Sequence, residues 1–148
     1  MINVDLTFQL NLPVIFHCRV AHDDLIDFLT TKYKIQNTNL KGVVHCFTGN
    51  GEQAEKFLEM GFYLAFNGLI LKDVPALPDP VEVIKRIPLE RILLETDSPY
   101  LTPPQLKDER NEPLNVKYVA KKIAAIKNIS FEKIAEITAQ NAKTLFQI

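Results

Sequence analysis

The sequence predicts an α/β fold: four parallel strands with helices between and after them, in a single domain over residues 1–148. Three observations carry that prediction. Four short runs, 13–17, 42–46, 62–66 and 91–96, are nearly continuous in Val, Ile, Leu and Phe, as parallel strands are when both faces of the sheet are covered. A helical pattern follows each run. The runs begin 29, 20 and 29 residues apart, a βα repeat whose crossovers are expected to be right-handed.

Taken in order, Leu25, Ile26, Phe28 and Leu29 mark one face of a helix over 23–29 after the first strand. After the second, Asn50 and Gln53 form a capping box for a helix through Met60, with Gly61 just past its end, where a left-handed residue is favoured. Asp79, Pro80 and Glu82 supply the N-cap, first-turn proline and N3 acid of a helix ending near Ile87, which Pro88 closes. A proline-rich loop over 98–113 follows the fourth strand. Two helices end the chain. Val116, Val119, Ala120, Ile123 and Ala124 make the apolar stripe of one. Ser130 caps the other, which buries Phe131, Ile134, Ala135, Thr138, Ala142 and Leu145.

Composition narrows the function classes. Apolar residues make up 47% of the 148, enough for one core, and Lys plus Arg number 17 against 18 acids. A domain of this size buries roughly 70% of its unfolded surface. A net charge of −1 excludes a strongly basic DNA-wrapping protein. A nuclease stays open, because bound metal ions can supply the positive charge at a phosphate. Two cysteines are too few for a disulfide framework and fit a reducing, cytoplasmic setting. No signal peptide and no apolar stretch of membrane-spanning length is visible, so no membrane association is expected. A complete (β/α)8 barrel needs about 250 residues, which excludes one here.

The informative polar residues lie at strand ends. His17 ends the first strand, His45 lies at the end of the second, and Asp97 follows the fourth, with spacings of 28 and 52 residues, one βα unit and two. Equivalent positions on parallel strands converge at the carboxyl edge of the sheet, where α/β folds bind ligands. Two imidazoles and a carboxylate there suit a divalent ion such as Zn2+, Mg2+ or Mn2+. Spacing alone leaves open that the histidines are hydrogen-bonded structural residues. Glu95, two residues before Asp97, is expected on the same face, either orienting a ligand or paired within the strand ends. Cys18 and Cys46, each one residue past a histidine, are expected on the opposite, helix-covered face as buried apolar groups. His22 is expected to be a solvated surface residue.

The strings LPVIFHCR at 12–19, GVVHCFTG at 42–49, PLERILLETDSPYLTP at 88–103 and RNEP at 110–113, with the 134–141 and Phe146 pattern of the final helix, closely resemble the TatD family of metal-dependent deoxyribonucleases. The resemblance runs from about Leu12 to the end, and several separate strings in order make it specific. It implies a barrel of the amidohydrolase type that hydrolyses DNA phosphodiester bonds, often as a 3′-to-5′ exonuclease. His17 and His45 match metal-ligating histidines of the family. Asp97 matches a metal-ligating aspartate that also takes a proton from the attacking water. Arg19, Asn111 and Glu112 match motif positions and are carried over as substrate-side or loop-anchoring residues; surface ion pairs and turn chemistry explain them equally well.

The chain departs from the family pattern. The HxH pair of the first strand and the glutamate of a GEIGLD-like string are absent; the histidines are His17, His22 and His45. Val20 stands where the family usually has an acid or amide. Residues 1–11 hold only a compressed version of the helix that should precede the first strand. In family order the strands correspond to the fifth to eighth, so the resemblance implies a partial TIM-type barrel, its second half, truncated on the N-terminal side. Part of the metal cage would then be missing, and the open barrel face would need covering by an N-terminal half supplied elsewhere, a second copy, or the N-terminal residues. Two other functions remain: a non-catalytic half-barrel that binds a partner, and a metal-dependent amide or ester hydrolase, since a fold does not fix its chemistry.

Overall fold

The computed structural model describes residues 2–34, 40–106 and 109–148. Residue 1, the segment 35–39 and positions 107–108 within the expected 98–113 loop lie outside the described residues. The chain opens with helix α1 (Ile2–Leu10), which enters strand β1 (Val14–His17) through Asn11, a residue with φ of 51°. Helix α2 (His22–Asp27) continues into a π-helical turn, Phe28–Lys32. Then come β2 (Gly42–His45), α3 (Gly51–Glu59), β3 (Tyr63–Phe66) and a 3-10 turn at Gly68–Leu71. Helix α4 (Pro80–Arg86) leads through a second 3-10 turn into β4 (Ile92–Leu94), and α5 (Val116–Lys127) and α6 (Phe131–Phe146) complete the chain.

The four strands form one parallel sheet in the order β1-β2-β3-β4, as the apolar runs predict. The predicted capping box of α3 is present, with the Asn50 side chain accepting from Gln53 N–H at 2.9 Å and the Gln53 side chain accepting from Asn50 N–H at 3.0 Å. Gly61 takes φ of +87° just beyond α3, a conformation glycine adopts without steric cost. Asp79 caps α4 through Val81 N–H at 2.8 Å, and Ser130 caps α6 through Lys133 N–H at 3.1 Å.

Strand alternation divides the side chains into two layers. Val14, Val44, Leu64, Phe66 and Ile92 face the helices and join Phe57, Phe62, Ile84, Ile123 and Ile134 in the main core. Val43, Tyr63, Ala65 and Leu93 face the other way, where Leu145 with Ala142 and Phe146 of α6 packs on them. That face is therefore not wholly open, contrary to the expectation from sequence. Helix α6 packs on β2, β3 and β4, whereas Ile15 on β1 remains 60% exposed. A groove of about 540 Å3 runs between this face and α5 and α6, reaching His45 and Glu95 at its upper end.

The short helix expected within residues 1–11 is present as Ile2–Leu10, whereas two other sequence expectations need correction. The fourth strand stops at Leu94, not Thr96, because the chain turns away after one last ladder bond from Glu95 N–H to Phe66 O, 3.0 Å. His22 is buried, not solvated. It opens α2 on the side facing α3, and its ring meets Phe47 edge-on at 5.2 Å and Phe57 at 6.4 Å. Among the described residues, no helix is long and apolar enough to cross a membrane.

Candidate metal centre

Parallel pairing of β1 and β2 places His17 and His45 in direct register at the carboxyl ends of their strands. Their rings lie 5.5 Å apart, centroid to centroid. His17 is exposed because β1 lies at the edge of the sheet, and His45 is half-buried one strand further in.

Two strands from His45, the chain leaving β4 turns back toward it. Glu95 reaches it first: Glu95 Oε2 lies 2.6 Å from His45 Nδ1, and Glu95 Oε1 accepts from Cys46 N–H at 2.6 Å. Both contacts have the short lengths of hydrogen bonds to an ionised acceptor. Burial pushes the Glu95 carboxyl above its ordinary range, and the neighbouring His45 and the Cys46 amide pull it back. Cys46 takes φ of 51° at this strand end, and its N–H bonds Glu95 Oε1.

Asp97 completes the group. Its φ of 57° is left-handed, a region aspartate tolerates better than most residues. Asp97 Oδ1 stands 3.4 Å from His45 Nε2, longer than the usual N–H···O range. That oxygen is buried and has no hydrogen-bond partner among the described residues. One ligand atom from each of His45, Glu95 and Asp97 falls within 4.8 Å of the others. Glu95 uses one lone pair of each oxygen on His45 and Cys46, while His45 Nε2 and Asp97 Oδ1 make no hydrogen bond among the described residues and remain as open donor atoms.

Those donors fit a divalent ion. A proton held on Nδ1 by Glu95 leaves the lone pair on Nε2, the tautomer that metal-ligating histidines use. Two ligands at about 2.1 Å from one ion with tetrahedral angles stand about 3.4 Å apart, which matches the observed gap. A buried carboxylate oxygen without a partner is costly unless something positive occupies its open side.

The remaining expected site residues divide. Arg19 is exposed on the turn after β1 and is close enough to lower the Cys46 thiol pKa, against the larger upward push of burial. Glu112 is exposed, and its N–H donates to Asn111 Oδ1 at 3.0 Å. Asn111 is 3% exposed, so it does not face a substrate. Cys18 is buried in the main core as expected, while half-buried Cys46 belongs to the Glu95 contact. Sequence reasoning missed Asn67, which is buried directly after β3 and whose side chain accepts from Leu69 N–H at 3.0 Å. It follows the end of its strand, as Asp97 does, so the strand-end criterion that picked His17, His45 and Asp97 could have found it.

A family model for TatD-related DNases matches residues 3–147. The chain belongs to that family. The match includes α1, so the likeness begins earlier than Leu12. Among curated relatives of the TatD family, YabD of Bacillus subtilis, an uncharacterized metal-dependent hydrolase, is 44% identical over 98% of this chain and 55% of its own length. The 3'-5' ssDNA/RNA exonuclease TatD of Yersinia pseudotuberculosis is 34% identical over 97% of this chain and 55% of its own length. The crystal structure of YjjV, a TatD homologue from Escherichia coli, superposes with a TM-score of 0.83 at 30% identity, covering 98% of this chain and 54% of that one. The chain spans about half the length of the curated relatives it matches.

Proposed function

We propose that this chain carries part of the active site of a metal-dependent hydrolase that cleaves DNA phosphodiester bonds, with 3′-to-5′ exonuclease polarity in the complete family form. The observation that carries this reading is the pairing of His45 Nε2 with the unpartnered Asp97 Oδ1 at 3.4 Å, with Glu95 holding the far side of the imidazole. The name of the Yersinia relative, a 3'-5' ssDNA/RNA exonuclease, supports the substrate class.

His45 and Asp97 would hold a divalent ion (Mg2+, Mn2+ or Zn2+), with His17 as the third donor beside them. When bound, such an ion supplies Lewis-acid chemistry, lowering the pKa of water and offsetting charge on a phosphate. Glu95 keeps His45 in one tautomer and one orientation. Asp97 is the proton acceptor for the attacking water. Arg19, exposed at the same edge of the sheet, offers a cation to a phosphate. Glu112, whose exposed side chain is free of the Asn111 contact that its backbone N–H makes, is a substrate-side residue in this reading.

In this reading residues 1–148 form one domain, the second half of a barrel, and the four-stranded sheet takes its missing neighbours from an N-terminal half or a second copy. The groove beside Ile15 and the exposed edge of β1 support that arrangement. The two free cysteines support a cytoplasmic setting.

Titration of the full chain with Mn2+, alone and co-expressed with a barrel half carrying an HxH strand, tests the proposal. Metal binding that disappears in His45→Ala and Asp97→Ala, together with metal-dependent DNA hydrolysis in the co-expressed form, is the expected result. Unaltered hydrolysis in both variants sinks it, and turnover of simple esters in place of DNA would move the substrate class.

A further inference from the structure

The backbone on either side of Asp97 is tied to one buried side chain. Asn111 Nδ2 donates to Thr96 O at 2.9 Å and to Tyr100 O at 2.6 Å. These carbonyls flank Asp97, one residue before it and three after it. Asn111 Oδ1 accepts from Glu112 N–H at 3.0 Å and from Asn115 Nδ2 at 3.1 Å. Both amide protons and both oxygen lone pairs are thus used, and the side chain is 3% exposed. Asn111 N–H adds a fifth contact, to Pro99 O at 3.3 Å.

Other contacts close the same loop. Tyr100 N–H returns to Asp97 O at 2.8 Å, Ser98 N–H bonds Thr96 Oγ1 at 3.3 Å, and Thr102 Oγ1 donates to Glu109 O at 3.0 Å. Gly68 packs from below so closely that a Cβ there would stand 2.2 Å from Leu101 O. Within this frame two residues, Asp97 and Leu101, take φ of 57° and 56°, conformations a free loop would not hold for non-glycine residues. Asn115 Nδ2 carries the frame on to the start of α5, whose Val119, Ala120 and Ile123 sit in the main core.

We infer that Asn111, braced by Asn115, is a positioning residue for the metal centre: it clamps the Thr96 and Tyr100 carbonyls, holds Asp97 left-handed, and so fixes Asp97 Oδ1 against His45 Nε2. This inference rests on the proposed metal-binding role of Asp97. Of the two roles expected of Asn111, substrate-side and loop-anchoring, the clamp is a form of the second, because a buried side chain with every polar atom engaged has nothing to offer a ligand.

The test measures Mn2+ affinity of the full chain by calorimetry, with amide hydrogen exchange over residues 96–101. Asn111→Ala is expected to weaken Mn2+ binding about tenfold, the lower end of what losing a ligand's orienting partner costs. Exchange over 96–101 should speed up while the core strands stay protected. Asn115→Ala, which removes one of the four side-chain bonds, should do the same to a smaller degree and serves if Asn111→Ala fails to fold. In an Asp97→Asn background, Asn111→Ala should cost no further affinity, since the two act through one group. Asn141→Ala removes another buried asparagine with two carbonyl bonds, far along the chain on α6, and should leave Mn2+ affinity unchanged. Equal losses from Asn111→Ala with and without Asp97, or unchanged affinity despite faster exchange, overturn the clamp. Mn2+ affinity that ignores Asp97→Asn overturns the metal reading itself, and the clamp's role with it, and is distinguishable from the other failures.

Discussion

Glu95 Oε2 sits 2.6 Å from His45 Nδ1 while Glu95 Oε1 takes the Cys46 amide at 2.6 Å, so one carboxylate holds both the ring and the backbone of the strand end that carries it. The contact joins β2 to the chain leaving β4 across the intervening strand β3.

Replacing Glu95 with Gln keeps the shape and removes the charge. The His45 ring then loses its charged orienting partner, and Mn2+ affinity is expected to fall by about 10- to 100-fold. Calorimetric titration of Glu95→Gln against the unaltered chain checks this. Unchanged affinity would show that Glu95 serves the strand end alone.

His17 is exposed and 5.5 Å from His45 by ring centroids, whereas His45 and Asp97 face each other at 3.4 Å. His17→Ala should therefore weaken metal binding less than either His45→Ala or Asp97→Ala. Competition with a chelator of known affinity ranks the three variants. A larger loss from His17→Ala than from the other two would contradict the ordering.

His22 is buried against Phe47 and Phe57 with Nε2 unpartnered, and burial lowers its pKa from the ordinary histidine value, against a smaller upward pull from Asp23. The unfolded chain then binds the proton more readily than the folded one. His22 costs no stability above the ordinary histidine pKa of about 6.5 and progressively destabilises the fold as pH drops below it. Urea titrations at pH 7.5 and 5.5 should show a smaller acid loss for His22→Leu than for the unaltered chain. Equal losses would mean the buried ring gains a partner when protonated.

Asn141 Nδ2 donates to Leu89 O and Ile92 O, both at 2.8 Å, fastening α6 to the start of β4. Its replacement by Ala removes both bonds, one of them to the buried Ile92 carbonyl, while Leu89 O keeps the Ile92 N–H, and should cost about 1–3 kcal/mol. Thermal or urea unfolding measures the loss. A change below about 0.5 kcal/mol, the level of a surface substitution, would indicate that water takes over both carbonyls.

Much of the centre was readable in the strand pattern. His17 and His45 lie one βα unit apart, so their register follows from local chain geometry, and parallel pairing delivers it. Glu95 was placed near the site on the assumption that strand alternation continues to Asp97. That holds as far as Glu95, which lies two residues past Leu93 on the same face and whose N–H still bonds Phe66 O; Asp97, beyond the end of β4, stands near His45 Nε2 with a left-handed φ. His22 was misjudged because a residue in a first turn is exposed or buried according to what packs beside it. The aromatic pair that buries it comes from 25 and 35 residues further along the chain.

The sequence by itself determined the parallel α/β order, the caps of α3, α4 and α6, and the placing of His17 and His45 side by side at the strand ends, because each rests on spacing and on chemistry within a few residues. Only the tertiary structure decided which nitrogen of His45 is free, which oxygen of Asp97 lacks a partner, that Asn111 is buried as a clamp, and that α6 covers the inner face of β2, β3 and β4. The physical reason is the same in each case: these properties belong to contacts between segments distant in sequence, whose burial and hydrogen-bond pairing exist once the sheet and helices have assembled.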